Sequence, residues 1–293
     1  MSPTIADRLT ECAEATEASL ERYLAPGHDV PALATLARAT RHGTLQGGKR
    51  LRPFLVREGA AALGGDRQAA MPAACAVEMI HSYSLVHDDL PAMDDAETRR
   101  GRPSVHAAYD EATAVLVGDA LLTEGFAVVA GAGYPPEAAV ALVAELARGA
   151  GAAGMVGGQM MDLYPGALTE DEVVGIQVRK TGALIEAAAV MGGLVAGGDE
   201  AQLGALRRYA AALGLAFQIQ DDILDVTADA AALGKPAGRD EEAGKATFVG
   251  LYGLDGARAR VARSTEEAKD AVAGMPSPDV LTELADWQAG RGA

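Results

Sequence analysis

Apolar residues recur every three to four positions along most of this chain, which is the spacing of amphipathic helices. Residues 5–24 set apolar positions against acidic ones, and Pro26-Gly27 ends the helix predicted there. Gly47-Gly48 opens a turn, after which residues 49–53 lead into a helix that ends near Ala62. Further helices are predicted over residues 31–42, 72–89, 107–131, 135–150, 155–163, 169–196, 199–227, 258–272 and 278–288.

The hydrophobic pattern contains no convincing alternating strand, and no change of composition marks a linker between domains. Aromatic residues make up only 4% of the chain against 49% hydrophobic residues overall, so Ala, Leu and Val must fill the core. Alanine favours helix and lets helices pack closely. The sequence therefore predicts an all-α fold, with a single domain over residues 1–293 built as a helical bundle around a central active-site cavity.

The formal net charge of −16 argues against two classes of partner, nucleic acids and anionic membranes. Nucleic-acid binding needs a basic face, and an anionic membrane surface repels so acidic a protein. We therefore expect no nucleic acid and no membrane anchor. An acidic protein that binds an anionic substrate must gather its positive charge locally, so the positions of the basic residues carry more information than their number.

The two cysteines, Cys12 and Cys75, lie far apart in the sequence and form no CxxC motif. This usage is typical of a reducing compartment and of a protein without a zinc site. The N-terminus carries charges and lacks the apolar core of a signal peptide. The uncharged stretches 125–136 and 149–161 are too short and too rich in glycine to span a bilayer. These features predict a cytoplasmic protein.

Two clusters of aspartates carry the strongest chemical signal. They consist of Asp88, Asp89, Asp94 and Asp95 in the first, and of Asp221, Asp222 and Asp225 in the second. Each cluster follows an apolar stretch, where ionised carboxylates are costly unless something neutralises them. Grouped oxygen ligands suit Mg²⁺, which commonly bridges one or two carboxylates to a substrate phosphate. The clusters therefore predict a site that grips a diphosphate from both sides.

Helical geometry supports this interpretation of the second cluster, although a plainer one stays open. In a helix over residues 199–227, Asp221 and Asp225 lie one turn apart on one face, and Gln218 lies on that face too. The plainer interpretation is a solvated acidic helix end. The apolar stretch before Asp221 argues against it.

The first cluster contains a break in the helix. Pro91 prevents a simple continuation, so the chain can bring Asp94 back toward Asp88. His81 and Ser84 share a helical face with Asp88. His81 is therefore a candidate for substrate contact, with a purely structural hydrogen bond as the alternative.

Basic residues gather in four places, each beside a glycine. These are Lys49, Arg50 and Arg52; Arg99, Arg100 and Arg102; Lys180; and Lys235 with Lys245. Glycine lets backbone approach a phosphate closely, and Lys and Arg supply charge and hydrogen-bond donors. Each group alone is typical of a solvated surface. Together with the aspartate clusters they predict a site for two diphosphates, one held through metal and one by Lys and Arg alone.

Several motifs match those of a known family in order and spacing. They are Gly47-Gly-Lys-Arg-Leu-Arg-Pro53, His81-Ser-Tyr-Ser-Leu-Val-His-Asp-Asp-Leu-Pro-Ala-Met-Asp94, Arg99-Arg-Gly101, Gly157-Gly-Gln159, Lys180-Thr-Gly182 and Phe217-Gln-Ile-Gln-Asp-Asp-Ile-Leu-Asp225. Over residues 40–250 the chain resembles the trans-isoprenyl diphosphate synthases, most closely the bacterial farnesyl diphosphate synthases. It departs from their pattern at Ala96, at Ala246 and in the weakly basic end, residues 288–293.

The resemblance implies a homodimer of the isoprenoid synthase type that uses Mg²⁺, about three ions per active site, with Mn²⁺ as a substitute. The metal ligands it implies are Asp88, Asp89, Asp94, Asp221 and Asp225. Its substrates are isopentenyl diphosphate and an allylic diphosphate.

The resemblance also implies roles for the basic and polar residues. Arg99, Lys180 and Lys235 contact the allylic diphosphate. The diphosphate of isopentenyl diphosphate is held by Lys49, Arg52, His81 and Arg100. Thr181 and Gln218 face the allylic cation, and Lys245 lies near the mouth of the site. The implied catalytic set is Asp88, Asp89, Asp94, Arg99, Lys180, Thr181, Gln218, Asp221 and Lys235.

The implied reaction begins with ionisation of the allylic diphosphate. The double bond of isopentenyl diphosphate then attacks the cation, and a proton is lost. Product length depends on the helix before Asp88, where Tyr83 lies about 7.5 Å below that carboxylate, beside Ser84. An aromatic at this place accompanies short products in the family. The expected product is therefore farnesyl diphosphate, made from dimethylallyl or geranyl diphosphate.

Three alternatives to this function stay open. Within the class, the chain can be a geranyl or geranylgeranyl diphosphate synthase. A terpene cyclase also uses an aspartate cluster and Mg²⁺, but it has no need of a second diphosphate site. An inactive partner subunit is expected to have lost carboxylates from one cluster, whereas both are complete here. We therefore expect an active prenyltransferase.

Overall fold

The computed structural model describes residues 3–24, 29–165, 169–227 and 247–291. The helices in these ranges are α1 (Ile5–Tyr23), α2 (Pro31–Thr44), α3 (Leu51–Ala62), α4 (Met71–Asp88), α5 (Val105–Ala108), α6 (Glu111–Gly131), α7 (Pro136–Ala150), α8 (Met155–Leu163), α9 (Glu170–Gln177), α10 (Ala183–Val195), α11 (Glu200–Thr227), α12 (Phe248–Val272) and α13 (Asp279–Ala289). The predicted stop at Pro26-Gly27, and Lys235, Lys245 and Ala246, lie outside the described residues.

The all-α fold class is confirmed, with one small exception to the expected absence of strands. Strands β1 (Thr98–Arg99) and β2 (Arg102–Pro103) form a two-stranded antiparallel pair in the loop after α4. Gly101, at φ +76°, turns the chain between them. The pair therefore fixes the Arg99–Arg102 segment beside the first aspartate cluster.

Three predicted helices differ from the observed ones. The helix predicted over 107–131 is split, because Asp110 caps α6 by accepting a hydrogen bond from the Thr113 amide at 2.6 Å. The helix predicted over 169–196 is interrupted by a π-helical turn, Val178–Gly182, between α9 and α10. The helix predicted over 258–272 begins earlier, at Phe248, and is kinked at Gly253. The single-domain boundaries stay a prediction.

Helices α3 and α10 pack closely through glycines on both partners. A Cβ atom at Gly59 would lie 2.6 Å from the carbonyl oxygen of Ala189, and one at Gly192 would lie 2.2 Å from that of Val56. Neither position can carry a side chain without moving the backbone of the other helix. Around this contact the core is built largely from small residues of α4 and α10, as the composition suggested.

Two described segments are long and apolar enough to cross a membrane when judged by length and composition alone. They are α6 and the stretch Pro136–Leu163, and 39% of the apolar window of each is buried inside the protein. Core helices of proteins in water meet the same criterion. The two segments therefore carry no membrane assignment.

Candidate active site

An apolar cavity of about 410 Å³ lies between α4, α8 and the π-helical turn. Its wall is formed by Arg52, His81, Tyr83, Ser84, Leu85, His87, Asp88, Met93, Met155, Val156, Gln159, Met160, Leu163, Lys180 and Thr181. We call it the apolar cavity. Its size and lining suit a hydrocarbon chain with charged groups at one end.

A second cavity of about 510 Å³ adjoins the first, and we call it the cationic cavity. It is lined by Gln46, Gly48, Lys49, Arg50, Leu51, Arg52, Glu78, His81, Arg100, Thr181, Ile185 and Phe217. Three residues, Arg52, His81 and Thr181, line both cavities. An anion in the cationic cavity would therefore lie next to the polar end of the apolar cavity.

The first aspartate cluster lies at the C-terminal end of α4 and in the loop after it, as the sequence predicted. The chain turns back after Asp89, and the amide of Asp94 donates a hydrogen bond to the carbonyl oxygen of Asp88 at 2.8 Å. Buried Asp89 accepts hydrogen bonds from Arg99, with Nη2 2.5 Å from Oδ1. This pair brings Arg99 to the cluster, where its charge offsets that of the carboxylates.

Asp88 is the carboxylate of this cluster that lines the apolar cavity. Burial raises its pKa to about 6, nearby Lys180 opposes that shift, and Asp94 adds to it. A carboxyl whose charge is disfavoured in this way gains from a cation placed beside it. Asp88 therefore lies where a metal ion would relieve an unfavourable charge.

The aspartates fit Mg²⁺ as ligands that would share the ion with a substrate. Within the described ranges, no three His, Cys, Asp or Glu side chains converge closely enough to hold a metal ion by themselves. Mg²⁺ usually takes only one or two carboxylates and completes its shell with water and substrate phosphate oxygens. The oxygen donors of Asp88 and Asp94, beside a cavity with room for a substrate, fit that pattern.

The second cluster lies on α11, where Asp221 is paired with a cation. Arg291 Nη1 lies 2.9 Å from Asp221 Oδ1. Burial raises the pKa of Asp221, while Arg291 and Lys49 act in the opposite direction. Lys49, on the wall of the cationic cavity, is therefore close to the second cluster. Asp222 instead accepts a hydrogen bond from the amide of Phe248 at 2.7 Å and so ties α11 to the start of α12.

The cationic cavity contains an arginine without a charged partner. No hydrogen bond or ion pair of Arg52 is found among the described residues, and its buried Nε has no partner. Burial lowers the pKa of Arg52 to about 10, and Arg100 acts in the same direction against Glu78. A half-buried guanidinium with free donors is well suited to a diphosphate.

Arg100 is held against the loop that opens the cationic cavity. Its backbone has φ +53°, and its guanidinium donates to the carbonyl oxygen of Gly47. A Cβ atom at Gly48, where φ is +124°, would lie 2.8 Å from that guanidinium. Gly48 thus allows both the turn and the close approach of Arg100.

His81 lies between the arginines and both cavities. Burial lowers its pKa well below the ordinary value of 6.5, and the charges of Arg52 and Arg100 lower it further. The imidazole is therefore neutral at physiological pH. It can exchange hydrogen bonds with a substrate without adding charge.

Tyr83 and Ser84, the residues predicted to limit chain length, both line the apolar cavity. The Tyr83 ring is buried and meets His87 edge to face, with 5.8 Å between ring centroids. His87 in turn fills the space above Gly118, where a Cβ atom would lie 1.9 Å from Nε2. The part of the cavity wall formed by Tyr83 and His87 therefore packs against α6.

Some predicted residues are not drawn into the two cavities. The amide of Gln218 donates to Oε1 of Gln177, and Gln218 lines a separate cavity of about 30 Å³. Asp225 is half-buried on α11 and lines neither main cavity. Their roles stay predictions, as do those of the other predicted site residues, including Lys235 and Lys245 outside the described residues.

Four charged residues at the site were not predicted from the sequence: Glu17, Glu78, Asp162 and Arg291. Buried Arg50 pairs with Glu17 at 2.8 Å and with Glu78, and so supports the backbone between Lys49 and Arg52. Asp162 pairs with Lys180, and Arg291 with Asp221. Glu78 had a signal, because a lone acid inside an apolar helix implies a buried partner. The others depend on contacts between distant segments.

An apolar cavity with Asp88 on its wall adjoins a cationic cavity, an arrangement that suits an apolar substrate carrying a diphosphate group. Residues 34–275 match the family model described as "Polyprenyl synthetase". This chain belongs to the polyprenyl synthetase family, which includes the trans-isoprenyl diphosphate synthases, and it is a short-chain prenyltransferase by relationship. The family generally uses Mg²⁺.

Individual relatives show how far the similarity extends. Geranylgeranyl pyrophosphate synthase 9, chloroplastic, of Arabidopsis thaliana is 47% identical over 267 residues, covering 88% of this chain and 74% of the relative. The crystal structure of geranylgeranyl pyrophosphate synthetase from Pyrococcus horikoshii has a TM-score of 0.89 at 31% identity, covering 98% of each chain. That of an FPP/GFPP synthase from Zymomonas mobilis has a TM-score of 0.85 at 34% identity, covering 96% of this chain and 97% of that one.

The comparisons contradict the predicted cytoplasmic location. Six of the Arabidopsis relatives are named chloroplastic, so these relatives are plastid proteins rather than cytoplasmic ones. The prediction rested on the charged N-terminus and the cysteine usage. Neither feature distinguishes one reducing compartment from another.

Proposed function

We propose that this chain condenses isopentenyl diphosphate with an allylic diphosphate and that its main product is geranylgeranyl diphosphate. The observation that carries the proposal is the junction of the apolar and cationic cavities at Arg52, His81 and Thr181. Two diphosphates could be bound there with their hydrocarbon ends together. The twenty-carbon product is supported by the names of the relatives from Arabidopsis and Pyrococcus.

The allylic diphosphate would bind at the carboxylate end of the apolar cavity. Its proposed metal ligands are the aspartates predicted from the sequence: Asp88, Asp89, Asp94, Asp221 and Asp225. When bound there, Mg²⁺ would neutralise charge that develops on the departing diphosphate. The number of ions, about three, and replacement by Mn²⁺ belong to the same proposal.

Basic residues would assist the ionisation of the allylic substrate. Arg99 is held at the cluster by Asp89, and Lys180 lies close enough to Asp88 to affect its pKa. Both cations are thus available where negative charge accumulates as the carbon–oxygen bond breaks. Lys235 is proposed for the same role.

The cationic cavity would hold the diphosphate of isopentenyl diphosphate. Arg52 and Arg100 supply donors, neutral His81 supplies a hydrogen bond, and Lys49 lies toward the second aspartate cluster. No carboxylate ligand for metal is needed there, since the guanidinium groups carry the charge. The double bond of this substrate would then lie at the junction, where it can attack the allylic cation.

The apolar cavity would protect the cation and receive the growing chain. Its walls exclude water, which would otherwise quench the cation. The chain would extend from Asp88 along α4, past Ser84 and toward Tyr83 and His87. The position of Tyr83 and His87 at the far end of the cavity would decide how many isoprene units fit.

Farnesyl diphosphate is a second candidate product, and one observation favours it. The Tyr83 ring is buried against His87 and lines the apolar cavity about 7.5 Å below Asp88. A ring so near the carboxylates shortens the space for a tail. The names of the relatives favour the longer product, which would require the Tyr83 ring to move from its contact with His87.

A homodimer is also proposed from the family resemblance. Helix α6 is apolar, yet Val115 and Leu116 on it are 42% and 55% exposed. Burial of this face against a second copy would remove apolar surface from water. Sedimentation of the purified chain tests this part.

Product analysis tests the proposed function. The purified chain would be incubated with Mg²⁺, labelled isopentenyl diphosphate and dimethylallyl diphosphate, with Mn²⁺ and chelator in parallel. A twenty-carbon product is expected, whereas a fifteen-carbon product would favour the second candidate. A cyclised hydrocarbon would indicate a terpene cyclase, and no product from folded, metal-replete protein would indicate an inactive subunit.

A further inference from the structure

The π-helical turn Val178–Gly182 presents Lys180 and Thr181 to the apolar cavity. Such turns insert one extra residue into a helix and often mark functional sites, because they redirect side chains that a regular helix would bury or expose. Here the turn has a charged partner outside the predicted site. Lys180 Nζ lies 2.5 Å from Oδ2 of Asp162 on α8.

Gly158 brings α8 against this turn. A Cβ atom at Gly158 would lie 2.1 Å from the backbone nitrogen of Lys180 and 2.5 Å from its Cα. Any side chain there would push α8 away from the turn. Asp162 lies one helical turn after Gly158, so the same close contact places its carboxylate beside the Lys180 ammonium.

The Lys180 ammonium therefore has two carboxylates near it, with different surroundings: it pairs with Asp162, and its charge opposes the rise of the Asp88 pKa. Asp88 and Lys180 line the apolar cavity, whereas Asp162 does not. Both members of the Lys180–Asp162 pair are about a quarter exposed, so solvent only partly weakens their attraction. An ammonium has three donors and can keep the bond to Asp162 while it donates to a diphosphate oxygen.

We propose that Asp162 is a positioning residue that holds the Lys180 ammonium at the allylic diphosphate. This inference rests on the proposed function and adds to it a residue that neither the motifs nor the relatives' names single out. A free lysine side chain samples many rotamers, and each position away from the diphosphate is unproductive. Fixing the ammonium in advance favours the charge distribution of the transition state.

Kinetics of matched variants test the proposal. Asp162→Asn removes the charge and keeps the shape, Asp162→Glu keeps the charge, and Lys180→Ala removes the group that is positioned. Asp162→Asn/Lys180→Ala completes a double-mutant cycle. Asp286→Asn is the control, because Asp286 pairs with Lys269 at 3.1 Å on the surface, away from both cavities. Wild-type turnover is measured first, and its absence would count against the proposed function alone.

The expected result is a split between the two substrates. Asp162→Asn should lower kcat/KM for the allylic diphosphate roughly tenfold, as expected for loss of a charge-assisted hydrogen bond. The KM for isopentenyl diphosphate and the Tm should match those of Asp286→Asn, and Asp162→Glu should recover part of the activity. In the Lys180→Ala background, Asp162→Asn should have no further effect.

Two results would overturn the proposal. One is an equal loss from Asp162→Asn with and without Lys180, which would mean that Asp162 acts independently. The other is a loss of Tm that accompanies equal rises of both KM values and is not repaired by Asp162→Glu. That pattern would assign Asp162 to the stability of α8 alone.

Discussion

Arg291 and Asp221 form an ion pair in which Nη1 and Oδ1 are 2.9 Å apart. The guanidinium also lies 5.0 Å from the centroid of the Phe217 ring, and the carbonyl oxygen of Arg291 accepts a hydrogen bond from Gln220 at 2.5 Å. These contacts fix the segment after α13 against α11. The Arg291 guanidinium thus forms an ion pair with a carboxylate that we propose as a metal ligand.

Replacing Arg291 with Gln should reduce the Mg²⁺ concentration that the protein requires for activity. The arginine and the metal ion compete for Asp221, so removing the arginine should lower the Mg²⁺ concentration for half-maximal activity roughly three- to tenfold. The measurement is a Mg²⁺ activation curve at saturating substrates. Arg263→Gln is the control, since Arg263 is exposed and its ion pair with Glu267 is long, at 3.9 Å. An unchanged or higher Mg²⁺ requirement would mean that Arg291 does not compete with metal.

His81 should make folding stability depend on pH in mildly acidic solution. Its pKa is lowered in the folded state by burial and by Arg52 and Arg100. Below the ordinary pKa of 6.5 the unfolded chain therefore binds a proton that the folded chain excludes, and stability falls as pH falls. The loss should approach about 1.4 kcal/mol per pH unit from this residue.

Urea denaturation at pH 7.5 and 5.5 measures this contribution. The decrease in the free energy of unfolding between the two should be smaller in His81→Asn than in the wild type. His106→Asn provides a matched control, because His106 binds the carbonyl oxygen of Ala96 outside both cavities. If His81→Asn and the wild type lose the same stability, the buried imidazole is not the titrating group.

Tyr83→Ala should lengthen the product by at least one isoprene unit. Removal of the ring opens the apolar cavity toward His87, so the growing chain can pass the point where Tyr83 stands. The product distribution is read by chromatography after dephosphorylation. Tyr83→Phe keeps the ring and should leave the distribution unchanged. A Tyr83→Ala enzyme with the wild-type product would show that another residue forms the floor.

Gly48→Ala should weaken binding of isopentenyl diphosphate more than binding of the allylic substrate. Its φ of +124° disfavours any side chain, and a methyl group would press on the Arg100 guanidinium at 2.8 Å. Displacing Arg100 should raise the KM for isopentenyl diphosphate roughly tenfold, and the backbone strain should cost about 1–3 kcal/mol of stability. Gly131→Ala, with open space around the new methyl group, serves as the control. Equal effects on both KM values would contradict the assignment of the cationic cavity.

Much of the fold and site could be predicted because the signals are local. Helical spacing indicated most of the helices, and the position of Tyr83 on α4 followed from counting residues back from Asp88. Arg52, His81 and Arg100, predicted together at one diphosphate, do line one cavity. The cap at Asp110 was missed, although an Asp before a run of helix formers is a usual N-cap.

What the sequence did not indicate depends on pairing at long range. Asp162 and Lys180 are 18 residues apart, and Arg50 reaches Glu78 across 28. The π-helical turn adds a residue without changing the apolar pattern, so the helix over 169–196 looked continuous. The hydrogen bond from Gln218 to Gln177, at the end of α9, likewise joins residues that are 41 apart.

The close contact between α3 and α10 determines how far apart the segments that precede these two helices lie. Helix α3 begins directly after the loop that carries Lys49 and Arg50, and α10 begins directly after the turn that carries Lys180 and Thr181. Since Gly59 and Gly192 lock the two helices together, the segments at their ends keep a constant separation. Under the proposed function, the two diphosphates bound at these segments would therefore keep the same spacing whatever the length of the allylic tail.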